Sequence, residues 1–323
     1  MPATQEINQV GKREDLSDAL VLTNAGDTPF TTMIRKGSKP GNTLMEYPID
    51  KYDDTDTSGI VDGADVETYE DAQENRALLY SRVQKWRRAP RVTDMGQNVS
   101  VQAGTASPIA EAKAKKTVEL KYDMEATFFS DNESQADTGS VPYKTRGLGK
   151  WLQATAQTDL PVATAFLTPS GQIYSSAIGS LDEDTFRGLL QTRFETLRMN
   201  KTLYGFVATN VKNTITDFSR YEPDVSGSLQ VRRFTQSKPG EIQTSVDVYK
   251  GDYGRVILML SSFMPNTYRG YLLDMEMLEL RMSRNPGVKD LPDLGGGPRA
   301  IVDCIGALLN KNPQAHIKIA ATA

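Results

Sequence analysis

One cysteine and one histidine among 323 residues remove most catalytic and metal-binding constellations at once. A structural zinc site takes four Cys or His ligands, and Cys304 and His316 are the only residues of those types. A single cysteine forms no intramolecular disulfide, so a reducing, cytoplasm-like compartment is expected. Cys304 lies in the apolar run Ala300-Ile301-Val302-Asp303-Cys304-Ile305, where a free cysteine behaves as a small core hydrophobe. A Ser-His-Asp triad would depend on His316, three residues beyond Pro313 in a terminal strand pattern, where a lone histidine is expected to serve structure. Phosphate loops of the GxxxxGK[ST] or GxGxxG kind are missing. Gly147-Leu148-Gly149-Lys150 is only a fragment of one and reads as a turn; Gly295-Gly296-Gly297 has no following Lys-Ser or Lys-Thr and reads as a flexible hinge.

Long apolar runs are also missing. No stretch approaches the roughly 18 residues of a membrane span, and the opening MPATQEINQVGKRED has no apolar h-region, so no secretory signal is expected. Lys and Arg number 37 against 41 Asp and Glu, a net charge of −4, and no basic block is long enough to grip nucleic acid. Such a surface suits a position near nucleic acid without tight binding, because like charge keeps the two apart.

What is present begins with a polar segment, residues 1–38, holding a short helix pattern at 15–22. Asp27-Thr28-Pro29-Phe30 breaks that pattern, since the residue before a proline is pushed out of helical space. Phe30, Met33 and Ile34 follow, so the segment reads as an extended arm with one anchoring turn.

The most unusual region is 39–95. Residues 43–49 and 77–86 have strand character, and about 25 polar residues with turn signals at Ser58-Gly59 and Asp62-Gly63 separate them. Loops of that length in compact domains are usually functional or disordered. Ten carboxylates crowd residues 50–74 (Asp50, Asp53, Asp54, Asp56, Asp62, Asp65, Glu67, Glu70, Asp71, Glu74) against one cation, Lys51. Six cations then follow without an acid: Arg76, Arg82, Lys85, Arg87, Arg88 and Arg91. The hairpin is electrically polarised. It is either a solvated surface feature or an arm whose acidic end meets the basic stretch of another copy.

Residues 107–131 form the strongest helix. Ser107-Pro108 supplies a cap and a first-turn proline, and the segment that follows lacks glycine and proline. Ala114, Val118, Tyr122 and Phe129 share one face, and Leu120, Met124 and Phe128 share a second. An apolar helix of roughly 36 Å with two such faces is expected to pack on both sides. Further on, Ser180 with Glu183 reads as a capping box opening a helix to about residue 199, striped by Phe186, Leu190, Phe194 and Leu197. Asn210 is a candidate cap for a short helix to Phe218. Strand patterns occupy 203–208, 230–234, 246–249, 256–260, 271–273, 277–282, 300–309 and 315–320, with 286–298 as a linker. This order fits an α+β fold.

Catalysis by the carboxylates of 50–74 is disfavoured. A two-carboxylate hydrolase holds its acids a few ångströms apart on a rigid scaffold, and the calcium-loop spacing with its terminal Glu is absent. No catalytic, cofactor-binding or metal-ligating residue is assigned.

Five stretches together resemble the major capsid (major head) proteins of tailed bacteriophages, which share the Hong Kong 97-type fold. They are Asp27-Thr28-Pro29-Phe30-Thr31-Thr32-Met33-Ile34-Arg35-Lys36-Gly37; Glu119-Leu120-Lys121-Tyr122-Asp123-Met124-Glu125 leading to Arg146-Gly147-Leu148-Gly149-Lys150-Trp151-Leu152; Val246-Asp247-Val248-Tyr249-Lys250-Gly251-Asp252-Tyr253-Gly254; Leu273-Asp274-Met275-Glu276; and Asn312-Pro313-Gln314-Ala315-His316-Ile317. The resemblance implies an N-terminal arm (1–38), an extended hairpin loop (39–100) and a peripheral domain (101–179) around a spine helix at 107–131. It further implies an axial domain (180–292) and return strands of the peripheral domain (293–323). The spine helix core would be Val118, Leu120, Tyr122, Met124, Phe128 and Phe129.

The function so implied is self-assembly as hexamers and pentamers into an icosahedral or prolate head enclosing double-stranded DNA without sequence-specific binding. The protein would be a virion component assembled in the host cytoplasm, without cofactor or enzyme activity, and with portal, scaffold or decoration proteins as further partners. Lysine–asparagine cross-links occur in some members, and no motif assigns such a pair here. Rival readings are a bacterial nanocompartment shell, a tail-tube subunit and, remotely, a carboxylate hydrolase. The expected intersubunit contact joins Asp53, Asp54, Asp56, Asp62, Asp65, Glu67, Glu70 and Asp71 to Arg76, Arg82, Lys85, Arg87, Arg88 and Arg91. Glutamate at both Arg87 and Arg88 is expected to block assembly while leaving subunits folded.

Overall fold

A computed structural model describes residues 26–66, 69, 71, 74–98, 107–218, 222–223, 229–230 and 246–323. The helix pattern at 15–22 and most of the strand pattern at 230–234 lie outside these residues. In chain order the helices are α1 (Pro29–Met33), α2 (Asp94–Asn98), α3 (Pro108–Phe129), α4 (Leu148–Trp151), α5 (Glu183–Leu197) and α6 (Thr209–Asp217). The strands are β1 (Arg35–Lys36), β2 (Leu44–Ile49), β3 (Ala77–Arg82), β4 (Gln84–Arg88), β5 (Ile173–Tyr174), β6 (Thr202–Val207), β7 (Glu222–Pro223), β8 (Leu229–Gln230), β9 (Val248–Gly251), β10 (Gly254–Leu260), β11 (Arg269–Leu273), β12 (Leu278–Leu291), β13 (Arg299–Asn310) and β14 (Ile317–Ala320).

Two larger sheets organise these elements. One has the order β1-β12-β13-β4, the other β5-β14-β11-β6-β10-β9. The order is mixed: β6 and β10 are parallel, while β11 pairs antiparallel with both β6 and β14. Helix α3 crosses the four-stranded sheet with Leu120, Met124, Phe128 and Phe129 fully sequestered. Its C-terminal end also reaches the second sheet: Phe129 stacks on Tyr271 with ring centroids 5.9 Å apart, and the Tyr271 hydroxyl donates to the Phe129 carbonyl at 3.0 Å. Both sheets therefore share the end of this helix.

The two-sided burial expected along α3 holds only over its last three turns. Val118, expected in the core, is 46% exposed. Tyr122 is half-buried and stacks on Phe263 at 4.9 Å. The sequence reading missed Glu125, which is fully buried. Its carboxylate accepts from the Phe30 amide at 3.0 Å and from the amide (2.7 Å) and hydroxyl of Thr31. Burial raises the Glu125 pKa despite those hydrogen bonds. In this way α3 holds the first turn of α1 and seats Phe30 among Phe128, Phe129 and Phe206 at centroid distances of 5.9, 5.2 and 5.4 Å. The segment then continues as β1, parallel to β12 at Glu279 and Leu280.

The expected strand at 77–86 is two strands in different sheets. β3 pairs only with β2, and after Val83 the chain joins β13 as β4. The burial phase explains the break: Leu79, Ser81 and Val83 are buried, then Trp86, and an odd step from Val83 to Trp86 turns the inward side chains onto the other face. Residues 286–291, expected in a linker, continue β12 beside β13. Register shifts between Met282 and Arg284 and between Arg284 and Gly287 accommodate Pro286, which has no N–H for a ladder. The expected boundary at 292/293 thus falls between the two strands of one hairpin, while β14 belongs to the six-stranded sheet.

Helix α5 starts two residues later than a capping box at Ser180 requires. Asp182 is the cap, accepting from the Thr185 amide at 2.8 Å, and Ser180 lies in a 3-10 turn, Ile178–Ser180. Its buried residues are Phe186, Leu189, Leu190 and Arg193; of the expected stripe Phe186 and Leu190 are buried, while Phe194 and Leu197 are half-buried. Among the described residues, no helix is long and apolar enough to cross a membrane.

Candidate assembly interface

The paired strands β2 and β3 run in register from Leu44 opposite Arg82 to Ile49 opposite Ala77. They form a separate two-stranded ladder, beyond which residues 50–66, 69, 71, 74 and 76 form an exposed tip. Beside its carboxylates the tip carries Tyr52, Ile60, Val61, Val66 and Tyr69, which are 68–97% exposed. Local hydrogen bonds shape it: Asp53 accepts from the Asn75 side chain, and Asp56 accepts from the Ser58 amide at 2.7 Å. The Ser58 hydrogen bonds lower the Asp56 pKa. Asp54, Asp62, Asp65 and Asp71 are exposed with the rest of the tip; Glu67 and Glu70 lie outside the described residues.

The cations divide differently from the expectation. Arg76 pairs within the hairpin, to Asp50 at 3.2 Å. Arg82 makes two hydrogen bonds to Asp159, at 3.0 and 3.3 Å. Arg88 makes a fork of two to Asp123 of α3, at 2.6 and 2.5 Å, and the bond to Asp123 raises the Arg88 pKa further. Arg91 donates twice to the Gly296 carbonyl, at 3.2 and 2.9 Å. Lys85, Arg87 and Arg284 converge on one carboxylate, Asp303, at 3.5, 3.4 and 3.0 Å. Positive charge of 85–91 therefore belongs to the four-stranded sheet and its contacts with α3 and the turn after β12, and Arg82 of the hairpin is turned to Asp159 in the loop after α4. A further correction follows. Glutamate at position 88 would face Asp123 and Glu119, so a charge reversal there tests folding as well as assembly.

The groups screened for chemistry are structural. His316 is fully buried; its Nδ1 accepts from the Asp274 amide and its Nε2 faces Asn310 Oδ1, both at 3.1 Å. Burial, helped by the nearby Arg193 charge, lowers its pKa to about 3, so the ring is neutral. Cys304 is buried against Met124 Sδ at 3.6 Å, and burial pushes its thiol up to about 12. Gly147 and Gly149 pack against Ser130 and Asp131 so closely that a Cβ would fall 2.2 Å from the Ser130 carbonyl and 1.8 Å from the Asp131 carboxylate. They serve packing, not a phosphate. Gly295-Gly296-Gly297, expected as a hinge, donates three amides to Asp293 at 2.9, 3.1 and 3.2 Å and is an ordered turn. Among the described residues, no group of three or more His, Cys, Asp or Glu side chains could hold a metal.

This fold is that of a shell-forming subunit of the Hong Kong 97 type. The chain belongs to the SU10 major capsid protein family, whose model matches residues 3–323. It is thus a phage major capsid protein, a structural component of the virion that assembles with copies of itself. No curated protein matches the sequence. Among solved structures it is similar to the capsid of the cyanophage P-SCSP1u, with 11% identity, a TM-score of 0.61 and coverage of 96% of this chain and 93% of that one. It is similar to the capsid of a native GTA particle, with 12% identity, a TM-score of 0.63 and coverage of 99% of both chains. The holo-SrpI encapsulin of Synechococcus elongatus PCC 7942 is similar too, with 10% identity, a TM-score of 0.56 and coverage of 99% of this chain and 96% of that one.

Proposed function

We propose that copies of this subunit close as hexamers and pentamers into an icosahedral or prolate head around double-stranded DNA, held without sequence-specific contacts and without catalysis. Assembly takes place in the host cytoplasm, with portal, scaffold or decoration proteins as further partners. In this reading α3 and the four-stranded sheet form the peripheral domain, and the six-stranded sheet with α5 and α6 forms the axial domain. One observation carries the proposal: the tip beyond β2 and β3 exposes five large apolar side chains among acids, a surface that calls for cover by another copy. The best cationic counterpart on a neighbour is Lys85, Arg87 and Arg284. Three positive charges share one carboxylate there, whereas Arg82 and Arg88 are each held by a carboxylate of their own. Exposed pairs are worth about 0–1 kcal/mol each, so they set register and salt sensitivity, and many repeated weak contacts close the shell.

Electron microscopy of the purified protein, with extraction of nuclease-protected nucleic acid, tests this reading. Closed shells containing DNA are expected from infected or reconstituted material, and a chain that stays monomeric under every condition would sink it. The likeness to an encapsulin supports a second reading, a nanocompartment shell, for which the same particles would hold protein cargo and no DNA.

A further inference from the structure

Strand β4 is short and lies at one edge of the four-stranded sheet. Its side chains alternate. Trp86 and Arg88 reach α3 at Thr127 and Asp123, so Lys85 and Arg87 stand on the other face, where both are exposed. Its backbone alternates as well. Arg88 opposite Val302 and Arg91 opposite Arg299 belong to one register, and the Ala300 amide donates to the Pro90 carbonyl at 3.0 Å. Counted by twos from Pro90, Arg88 and Trp86 are the residues bonded to β13. The amides and carbonyls of Arg87 and Lys85 therefore point to the open edge.

An open edge is a template for pairing with another chain, and here Lys85 and Arg87 decide which chain fits. A second copy of β4 would set cations opposite cations. An acidic strand with carboxylates two residues apart would match them instead. The hairpin tip holds such a run, Tyr52-Asp53-Asp54-Thr55-Asp56-Thr57, exposed throughout and outside every sheet among the described residues. Tyrosine and threonine favour extended backbone, and Asp54 and Asp56 share one face of an extended chain.

We propose that residues 52–57 of one copy add to the open edge of β4 in a neighbouring copy, as an antiparallel strand. The inference rests on the reading that the hairpin tip contacts a neighbouring copy, and it supplies the mode of that contact. Antiparallel pairing, the more stable per residue, sets Asp54 opposite Arg87, Asp56 opposite Lys85 and Tyr52 opposite the small side chain of Ala89. Backbone hydrogen bonds hold the added strand, and the charge pairs fix its register. A slip of one residue would turn both carboxylates to the wrong face.

The test is disulfide trapping in particles of the full chain, assembled under reducing conditions and then oxidised. Opposite residues that share ladder hydrogen bonds have Cα atoms about 5.5 Å apart, within disulfide range. Asp54→Cys combined with Arg87→Cys is expected to convert most of the monomer band into covalent dimers and longer chains on a non-reducing gel. Thr55→Cys combined with Arg87→Cys, with its thiol on the opposite face, should stay monomeric. Cys304 is buried and takes no part. Should the cysteine variants fail to assemble, hydrogen exchange of the parent chain decides: the Lys85 and Arg87 amides should exchange more slowly in particles than in free subunits, and equal rates overturn the added strand. Equal cross-linking from positions 54 and 55 also overturns it, leaving the tip contact standing. An Ile60→Cys thiol as reactive in particles as in free subunits, with no cross-link from either pair, overturns the tip contact itself.

Discussion

The last three turns of α3 and the tip of the hairpin both carry a dense set of large apolar side chains, and the protein treats them in opposite ways. Leu120, Met124, Phe128 and Phe129 are closed off completely, with Phe30 delivered to them by the preceding segment. Tyr52, Ile60, Val61, Val66 and Tyr69 stand open among carboxylates. The first set has its partners in its own chain. The second lacks cover among the described residues, and a hairpin of two strands is marginal on its own. In a shell subunit the contrast separates residues that make the fold from residues that make the particle.

The strongest way to break the comparison is to truncate one member of each set. Phe128→Ala leaves a cavity beside Phe30 and Trp86 and should cost about 3–5 kcal/mol in denaturation of the unassembled subunit. Ile60→Ser should change that stability by no more than about 0.5 kcal/mol while lowering particle yield. Equal losses of stability would show that the tip is part of the fold.

Much of the closed region was legible. Ser107-Pro108 and the glycine-free run after it mark α3, and the i, i+4 steps from Leu120 through Met124 to Phe128 mark its buried face. Glu125 was not legible, because its partners are backbone amides 94 and 95 residues away, and helix periodicity says nothing about them. The break at Val83 did leave a trace, the odd spacing from Val83 to Trp86, hidden by continuous strand propensity. Pro286 and Gly287 read as linker because bulges that absorb a proline are set by the partner strand. In the open region acid content was plain, but the destinations of Arg82, Lys85, Arg87 and Arg88 depend on Asp159, Asp303 and Asp123, whose approach only the fold creates.

A second prediction concerns His316, a polar group inside the closed region. Its folded pKa of about 3 lies below the ordinary value near 6.5, so the folded chain holds fewer protons than the unfolded chain between those values. Stability contributed by the neutral ring is complete above about pH 6.5 and is lost as pH falls, by up to about 1.4 kcal/mol per pH unit. Glu125, with its raised pKa, works in the opposite sense: its share is present in acid and is lost as pH rises. Comparison with a variant isolates the histidine. His316→Gln can still accept from the Asp274 amide and donate to Asn310, so its denaturation free energy between pH 6.5 and 5 should be flatter than that of the parent. Parallel curves would exclude His316 as the source of the slope.

The smallest effect separates two neighbours in one strand. Arg88 grips Asp123 with two hydrogen bonds across the sheet–helix boundary, whereas Arg87 is one of three cations on Asp303 and is half exposed. Arg88→Gln should therefore cost about 1 kcal/mol, already reduced for solvent screening at an exposed site, and Arg87→Gln less than about 0.5. Removing Arg87 also relieves repulsion from Lys85 and Arg284, which leaves the net change close to zero. Assembly should rank the pair the other way. If the acidic tip of a neighbour docks on the Asp303 cluster, Arg87→Gln lowers the salt concentration at which particles fall apart, since surface pairs of this kind are screened over about 8–10 Å at physiological ionic strength. Arg88→Gln should leave that salt midpoint in place once its lower stability is matched by temperature. A salt midpoint unmoved by Arg87→Gln would direct the tip to some other surface, with the contrast between fold residues and particle residues intact.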